Sequence, residues 1–353
     1  MTFAVFIMVF NEPDFLPIWI EHYGREFGYE TLFVIDHGTT DNSLKNLPIV
    51  NIIRLERNID FDEENRSQLI SAFFNELLMN HEYVIFTDVD ELLAVDPRNN
   101  VSLKKYILNS GSDYLTAKGL NVIHNMNEES PLDPRLPLFL QRQYVEFDYK
   151  YCKTLISRLP IVFRAGFHNV MLLEFFNKGN YTYQFNFHEQ LYLFHLRAVD
   201  QEIAKKRLLN YNSIKISQNA LMKRHAVQFS LNWSEYRDKY FLRNFEDATS
   251  VVIDPILISA KDAWIRLNNT GRYEENKPII RIPTIFKEII PLLERPFKAY
   301  DRPSEINFQQ EGTLVFAKAL KKLIESDKAK YSRNSLCPCS SGHKVKNCHG
   351  KLS

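Results

Sequence analysis

The chain has 353 residues, a formal net charge of +1 at pH 7, 45% hydrophobic and 25% charged residues. That length supplies core for one large domain or two modest ones, and the balance is that of a soluble globular protein, which excludes wholesale disorder. No stretch approaches the ~18 consecutive apolar residues of a membrane-spanning helix, and the apolar opening has no basic leader, so a buried first strand is expected there and not a secretory signal.

Residues 2–10 are a continuous apolar run of β-rich composition. Asp14 is placed to cap a helix whose apolar residues Leu16, Trp19, Ile20, Tyr23 and Phe27 keep helical spacing, and Gly28 to end it. A second short strand is expected at 31–35, closed by Asp36-His37-Gly38-Thr39-Thr40-Asp41, and a third at 50–55. Asp62 opens a helix with Leu69/Ile70, Phe73/Phe74 and Leu77/Leu78 on one face, and a fourth strand at 83–87 ends at Asp88. Such alternation argues for a parallel, doubly wound sheet, with ligands beyond the carboxyl ends of its strands. Mixed signals follow over 113–197, with strands expected at 114–117 and 191–196 and helices at 201–210 and 234–245. Pro278, Pro283, Pro291, Pro296 and Pro303 punctuate the next span, before a last amphipathic helix around Phe316, Leu320 and Leu323/Ile324.

The stretch Phe86-Thr87-Asp88-Val89-Asp90-Glu91 carries chemistry. In a strand, side chains i and i+2 share a face, so Asp88 and Asp90 could approach one cation. Hard carboxylate oxygens suit Mg²⁺ or Mn²⁺, which keep waters and bind substrate phosphates. Glycine is scarce, at 11 residues, while Phe, Tyr and Trp total 46, which suits an aromatic core or sugar-stacking surfaces.

Taken in order, Met8-Val9-Phe10-Asn11-Glu12, Leu16-Pro17-Ile18-Trp19 with His22, Val34-Ile35-Asp36-His37-Gly38-Thr39-Thr40-Asp41 and the Asp-x-Asp stretch resemble the blocks of a glycosyltransferase family 2-like domain. His37 stands where Asn is usual, and Leu92 where Phe is common. The resemblance covers about the first hundred residues. It implies an α/β, GT-A fold: a Rossmann-like, mostly parallel sheet flanked by helices. It further implies that Asn11 and Glu12 line the base and ribose pocket, that Asp36 contacts the nucleoside, and that Asp88 and Asp90 handle ribose and a Mn²⁺ or Mg²⁺ ion. That ion would neutralise charge on the leaving diphosphate. Local alternatives stay open: a turn role for Asn11, and caps at Asp36 and Asp41.

Histidines end several strand-like runs, at His168, His188 and His195. Family members carry a late-strand histidine similar to His195, followed by a helix with lysines such as Lys205 and Lys206, and His195 is the expected third metal or diphosphate contact. Glu189 is the expected catalytic base, with Asp148 and Glu146 as alternatives. The Gln-x-x-Arg-Trp block of processive synthases is not found, which favours single addition to an acceptor such as a cell-surface glycan. A haloacid dehalogenase-type phosphatase or phosphotransferase and a non-catalytic nucleotide-binding adaptor remain as alternatives.

Cys152 stands alone, whereas Cys337, Cys339 and Cys348 crowd the end beside His349. The uneven distribution points to a reducing compartment, and the spacing Cys-x-Cys, eight residues, Cys-His makes a closed structural zinc shell. The segment is similar to the SEC-C motif that ends the bacterial preprotein translocase ATPase, departing from it at Ser340 and His343. From Lys318 to Lys351, nine basic residues meet two acidic ones. That local balance of +7 suits an acidic protein, an RNA or an anionic membrane surface as partner. The expected location is the cytoplasm, including the inner face of its membrane. The expected domains are 1–250, divided into nucleotide-sugar (1–110) and acceptor (111–250) parts, a helical, proline-punctuated region over 251–333, and the zinc motif over 334–353.

Overall fold

A strand buried on both faces needs an unbroken apolar run, and β1 (Phe3–Val9) has all seven residues buried. The computed structural model describes residues 2–45, 47–55, 60–177, 184–223, 225, 227–246, 248, 279–287 and 289–290. The expected last amphipathic helix and the cysteine tail lie outside the described residues. α1 (Phe15–Phe27) turns Phe15, Leu16, Ile18, Trp19, Ile20, Tyr23 and Phe27 into the core. Gly28 ends it at φ 98°, but Asp14 departs from expectation: its backbone is already helical and its side chain accepts no cap hydrogen bond. Instead the Glu12 carbonyl accepts the Leu16 N–H at 3.1 Å.

β2 (Leu32–Asp36) and β3 (Asn51–Arg54) follow. α2 (Glu63–Leu77) then starts at Asp62, whose carboxylate accepts the N–H groups of Glu64 and Asn65 at 3.0 and 3.1 Å. β4 (Tyr83–Phe86) is buried throughout. The order β3-β2-β1-β4 is parallel at every step, with Ile35 opposite Ile53, Val9 opposite Asp36 and Phe6 opposite Phe86. This is the doubly wound half expected from the sequence.

The remaining half is largely antiparallel. It comprises β5 (Glu91–Val95), α3 (Leu103–Ser110), β6 (Tyr114–Ile123), α4 (Leu138–Gln141), β7 (Tyr144–Phe147) and β8 (Thr154–Ser157), then β9 (Ile161–Phe163), β10 (Val170–Leu172), α5 (Leu173–Asn177) and β11 (Phe187–Ala198). Next come α6 (Gln201–Asn212), α7 (Gln218–Met222), α8 (Trp233–Tyr240) and β12 (Ile279–Arg281). α8 stops at Tyr240, short of the 245 expected. A single ten-stranded sheet joins both halves in the order β12-β7-β6-β8-β4-β1-β2-β3, while β11 lies against β6 and β5. β12, beyond the expected boundary at 250, pairs with β7. The fold is therefore mixed α/β, with helices packed on a large central sheet. The hairpin β9–β10 stands apart and is tied to α2, where the Phe163 and Ile161 N–H groups reach Ser71 Oγ and Asn75 Oδ1 at 2.8 and 2.9 Å.

One glycine matters to the site. A Cβ on Gly119 in β6 would lie 2.3 Å from the Tyr151 carbonyl carbon, so only glycine lets the 149–152 turn pass this close.

Candidate active site

β1 and β4 end side by side, and a cavity of about 560 Å³ opens beyond their carboxyl ends. The Asp-x-Asp pair forms the β4–β5 corner, so a turn and not strand alternation brings the two carboxylates together. α1 holds this corner from beneath: Trp19 Nε1 donates to Thr87 Oγ1 at 2.7 Å, and Tyr23 Oη donates to the Glu91 carbonyl at 3.0 Å.

Each carboxylate here has a cationic partner. Asp88 accepts from Arg66 Nη2 at 2.6 Å and lies 3.5 Å from Lys153 Nζ, which also donates to Glu91. Asp90 Oδ2 accepts from Arg207 Nη1 at 2.8 Å, and Arg207 also grips Glu12 as a fork, Nε to Oε2 at 3.0 Å and Nη2 to Oε1 at 2.9 Å. Burial pushes Asp90 up, but the Arg207 guanidinium outweighs it, and the net shift holds the carboxyl well below its ordinary range. For Asp88, Arg66 and Lys153 likewise outweigh burial, and the net shift is down. Burial wins at Glu12 and Glu91, each pushed up to about 7 against Arg207 and Lys153 respectively.

His195, from β11, brings Nε2 to 3.5 Å from Asp90 Oδ2, while burial lowers its pKa to about 4. Its Nδ1 meets Asn121 Oδ1 at 2.8 Å, and the Asn121 amide nitrogen donates to Glu146 Oε2 at 3.4 Å. An amide oxygen only accepts, so the proton is on Nδ1 and Nε2 carries a lone pair. Tyr151 stacks on the imidazole at 4.3 Å between centroids.

Of the residues expected from the sequence, Glu12, Asp88, Asp90 and His195 line this cavity. Asn11 and Asp36 do not. Asn11, at φ 52°, uses its side chain to hold the loop after β2, with Oδ1 accepting the Thr40 N–H at 2.8 Å. Asp36 accepts the Thr39 N–H at 2.8 Å, and Asp41 accepts the Ser43 N–H at the same distance; both close local turns. Glu189 is exposed on β11 and lines neither this cavity nor the one beside it. Between Phe187 and Tyr192 the β11–β6 register slips, which breaks the alternation that would relate Glu189 to His195. His188 bonds Tyr106 and Ser112 instead. Cys337, Cys339, Cys348 and His349 lie outside the described residues.

Several functional groups were not anticipated. Lys205 and Lys206 are exposed, whereas Arg207 shares the buried face of α6 with Ala204 and Leu208. The i, i+3, i+4 spacing of those three was the available signal. Arg66 and Lys153 carried none, whereas His168 was one of the three strand-end histidines the sequence offered. A second cavity of about 230 Å³ adjoins the first and shares Lys150, Tyr151, His168, Arg197 and Lys239 with it; Glu146 and Asp148 line it too. His168 Nδ1 donates to the Lys150 carbonyl at 2.5 Å, and burial, helped by Lys153, lowers its pKa to about 3.

Among the described residues no three His, Cys, Asp or Glu side chains stand together as a ready metal shell. No helix among them is long and apolar enough to cross a membrane.

Comparison with known proteins gives one family match and several remote structural likenesses. The SEC-C motif matches residues 333–351. The chain is similar to S. aureus TarS 1–349 at 14% identity and a TM-score of 0.31, over 79% of this chain and 98% of that one. For TarS 1–349 in complex with UDP-GlcNAc the values are 14%, 0.30, 75% and 81%. For mannose-1-phosphate geranyltransferase from Thermus thermophilus they are 11%, 0.25, 70% and 70%. Against the longer S. aureus TarS structure the chain spans 41% of that protein's length. Likeness at these scores carries no argument about activity, which rests on the site itself.

Proposed function

We propose that this chain is a glycosyltransferase that moves a sugar from a nucleotide-sugar donor to a hydroxyl acceptor. The observation that carries it is the pairing, beyond the ends of parallel strands β1 and β4, of acidic Asp88 and Asp90 with basic Arg66, Lys153 and Arg207 in one donor-sized cavity. Phe61, Tyr211 and Phe229 line the same cavity, Phe229 packing on Phe61 and Tyr211 at 5.1 and 4.8 Å between centroids, and they suit a nucleobase. His225 Nδ1, buried there without a hydrogen-bond partner, suits a polar edge of that base. Asn11 and Asp36 act on the nucleoside through the loop they fix.

A divalent cation, Mn²⁺ or Mg²⁺, fits the donor set. The His195 Nε2 lone pair faces a carboxylate oxygen across 3.5 Å, an unfavourable contact that a cation would relieve. Asp90 also keeps Oδ1 without a protein partner among the described residues. Asp88, Asp90 and His195 would hold the ion. Bound there, it would act as a Lewis acid toward the departing diphosphate. Arg207 and Arg66 orient the two aspartates, and Lys153 adds positive charge beneath the same oxygens. On the acceptor side, Glu146, held by Arg243 at 2.6 Å, and Asp148, which accepts the Lys150 N–H at 3.0 Å, both line the smaller cavity, and one of these two carboxylates takes the proton of the incoming hydroxyl. The tail is a separate zinc module bound through Cys337, Cys339, Cys348 and His349, a reading supported by the SEC-C match, and its basic surroundings suit an acidic protein, RNA or membrane partner.

A thermal-shift panel of nucleotide-sugars, with and without Mn²⁺, tests the proposal through the stability a native-state ligand adds. At least one donor should raise Tm more with the metal than without it. No shift for any donor across the panel would overturn the assignment.

A further inference from the structure

Among the described residues, several cations in or near the core stand within ion-pair distance of a carboxylate, and half-buried Arg197 does not. Arg142 reaches Asp200 at 3.2 Å, Arg207 has Glu12 and Asp90, Arg66 has Asp88, and Lys153 has Glu91. Arg197, on β11 in the wall between the two cavities, has no carboxylate within ion-pair distance among the described residues. Its guanidinium lies between the rings of Tyr151 and Tyr240, at 5.7 and 5.1 Å from their centroids, and donates to the Tyr240 hydroxyl at 3.4 Å. Aromatic faces ease the desolvation of a guanidinium, but they do not neutralise it.

The surroundings add to the imbalance. Lys150, Arg197, Lys239 and Arg243 line the smaller cavity against two carboxylates, Glu146 and Asp148, and Arg243 already neutralises Glu146. Lys239, exposed on α8, has its own ammonium 5.1 Å from the Tyr240 ring and no acidic partner among the described residues. An ion pair completed only when substrate arrives is a recognition device, because the charge already present favours an anion over its neutral analogue.

We infer that the smaller cavity binds an oxyanion on the acceptor, so that the acceptor is a phosphate- or carboxylate-bearing hydroxyl compound, with Arg197 as its main contact and Lys239 at the mouth. This rests on the glycosyl-transfer proposal. About 230 Å³ is below the range of ~300–1,000 Å³ for drug-sized ligands, which fits one unit of a larger acceptor and not a whole glycan.

The experiment compares glucose, glucose 6-phosphate and glucuronate by saturation-transfer NMR on the full chain, with and without saturating nucleoside diphosphate. Glucose 6-phosphate or glucuronate should bind at least tenfold more tightly than glucose, and the preferred anion identifies the class. That preference should persist when the nucleotide site is filled, and it should fall at least tenfold in Arg197→Gln. Lys239→Glu, a surface change that does not touch the core, should weaken anion binding about fivefold and keeps the test open if Arg197→Gln does not fold. Equal binding of all three sugars, or no binding of any, would overturn the inference. So would full displacement of the anion by nucleoside diphosphate, which would assign Arg197 to the donor. Loss of nucleotide binding in the wild type is a different failure: it would overturn the glycosyl-transfer proposal, and with it the assignment of this anion to an acceptor.

Discussion

The two cavities share a wall but are charged on different terms. In the larger one, Glu12, Asp88, Asp90 and Glu91 each meet an arginine or lysine before any ligand arrives. At the wall shared with the smaller one, Arg197 rests on tyrosine rings, with no carboxylate within ion-pair distance among the described residues. The contrast teaches that a network of ion pairs fixes the geometry of groups that must be in place, while a cation without a carboxylate reserves energy for an incoming charge.

The contrast can be broken most forcefully at Arg207. Arg207→Met would strand Glu12 and Asp90 in a buried site, at a cost of about 3–5 kcal/mol in chemical denaturation. Arg197→Met strands no carboxylate and should cost far less, within about 1 kcal/mol. Equal losses would erase the difference between the cavities. Gly119→Ala comes next, since a methyl group there collides with the Tyr151 backbone, which cannot swing away. Overpacking of this kind costs about 1–3 kcal/mol, and because Tyr151 touches both His195 and Arg197, nucleotide and anion binding should weaken together.

A pH titration sharpens the comparison at the shared wall. His168 is lowered from 6.5 to about 3 by burial, so folding favours its neutral form. The stability this gives is complete above pH 6.5 and is lost as pH falls from there toward 3. His168→Asn should flatten the acid side of the stability profile over that window; an unchanged profile would show that another group carries the acid sensitivity. The smallest effect is expected from the tail. Removing residues from Asn334 onward should leave nucleotide affinity unchanged while abolishing a 1:1 zinc content, and Cys337→Ser/Cys339→Ser should lose the same zinc by metal analysis.

How much of this was legible in the sequence follows from how local each interaction is. β1 and β4 are apolar on both faces, Asp62 caps its own helix, and Asp88-Val89-Asp90 follows a strand directly, so short-range pattern sufficed. Arg207 and Glu12 are 195 residues apart, and Lys153 meets Glu91 across 62. No periodicity links such pairs; the sheet does, through β8, β4 and α6. Glu189, expected only because the chemistry needs a carboxylate base, lies exposed in an irregular stretch of β11, and nothing local in the sequence separates it from Asp148 and Glu146, which line the smaller cavity. Asp14 misled because a backbone carbonyl, not a side chain, accepts the first N–H it was expected to cap.

The central claim is that Asp88 and Asp90 engage a cation bound with a nucleoside diphosphate, and calorimetry tests it most directly. Uridine, guanosine, cytidine and adenosine diphosphates would be titrated into the wild type and Asp90→Asn, with Mn²⁺ and with EDTA. At least one nucleotide should bind the wild type at least tenfold more tightly with Mn²⁺, and that gain should vanish in Asp90→Asn while its metal-free affinity and its fold persist. Equal Mn²⁺ dependence in the two proteins would contradict the account.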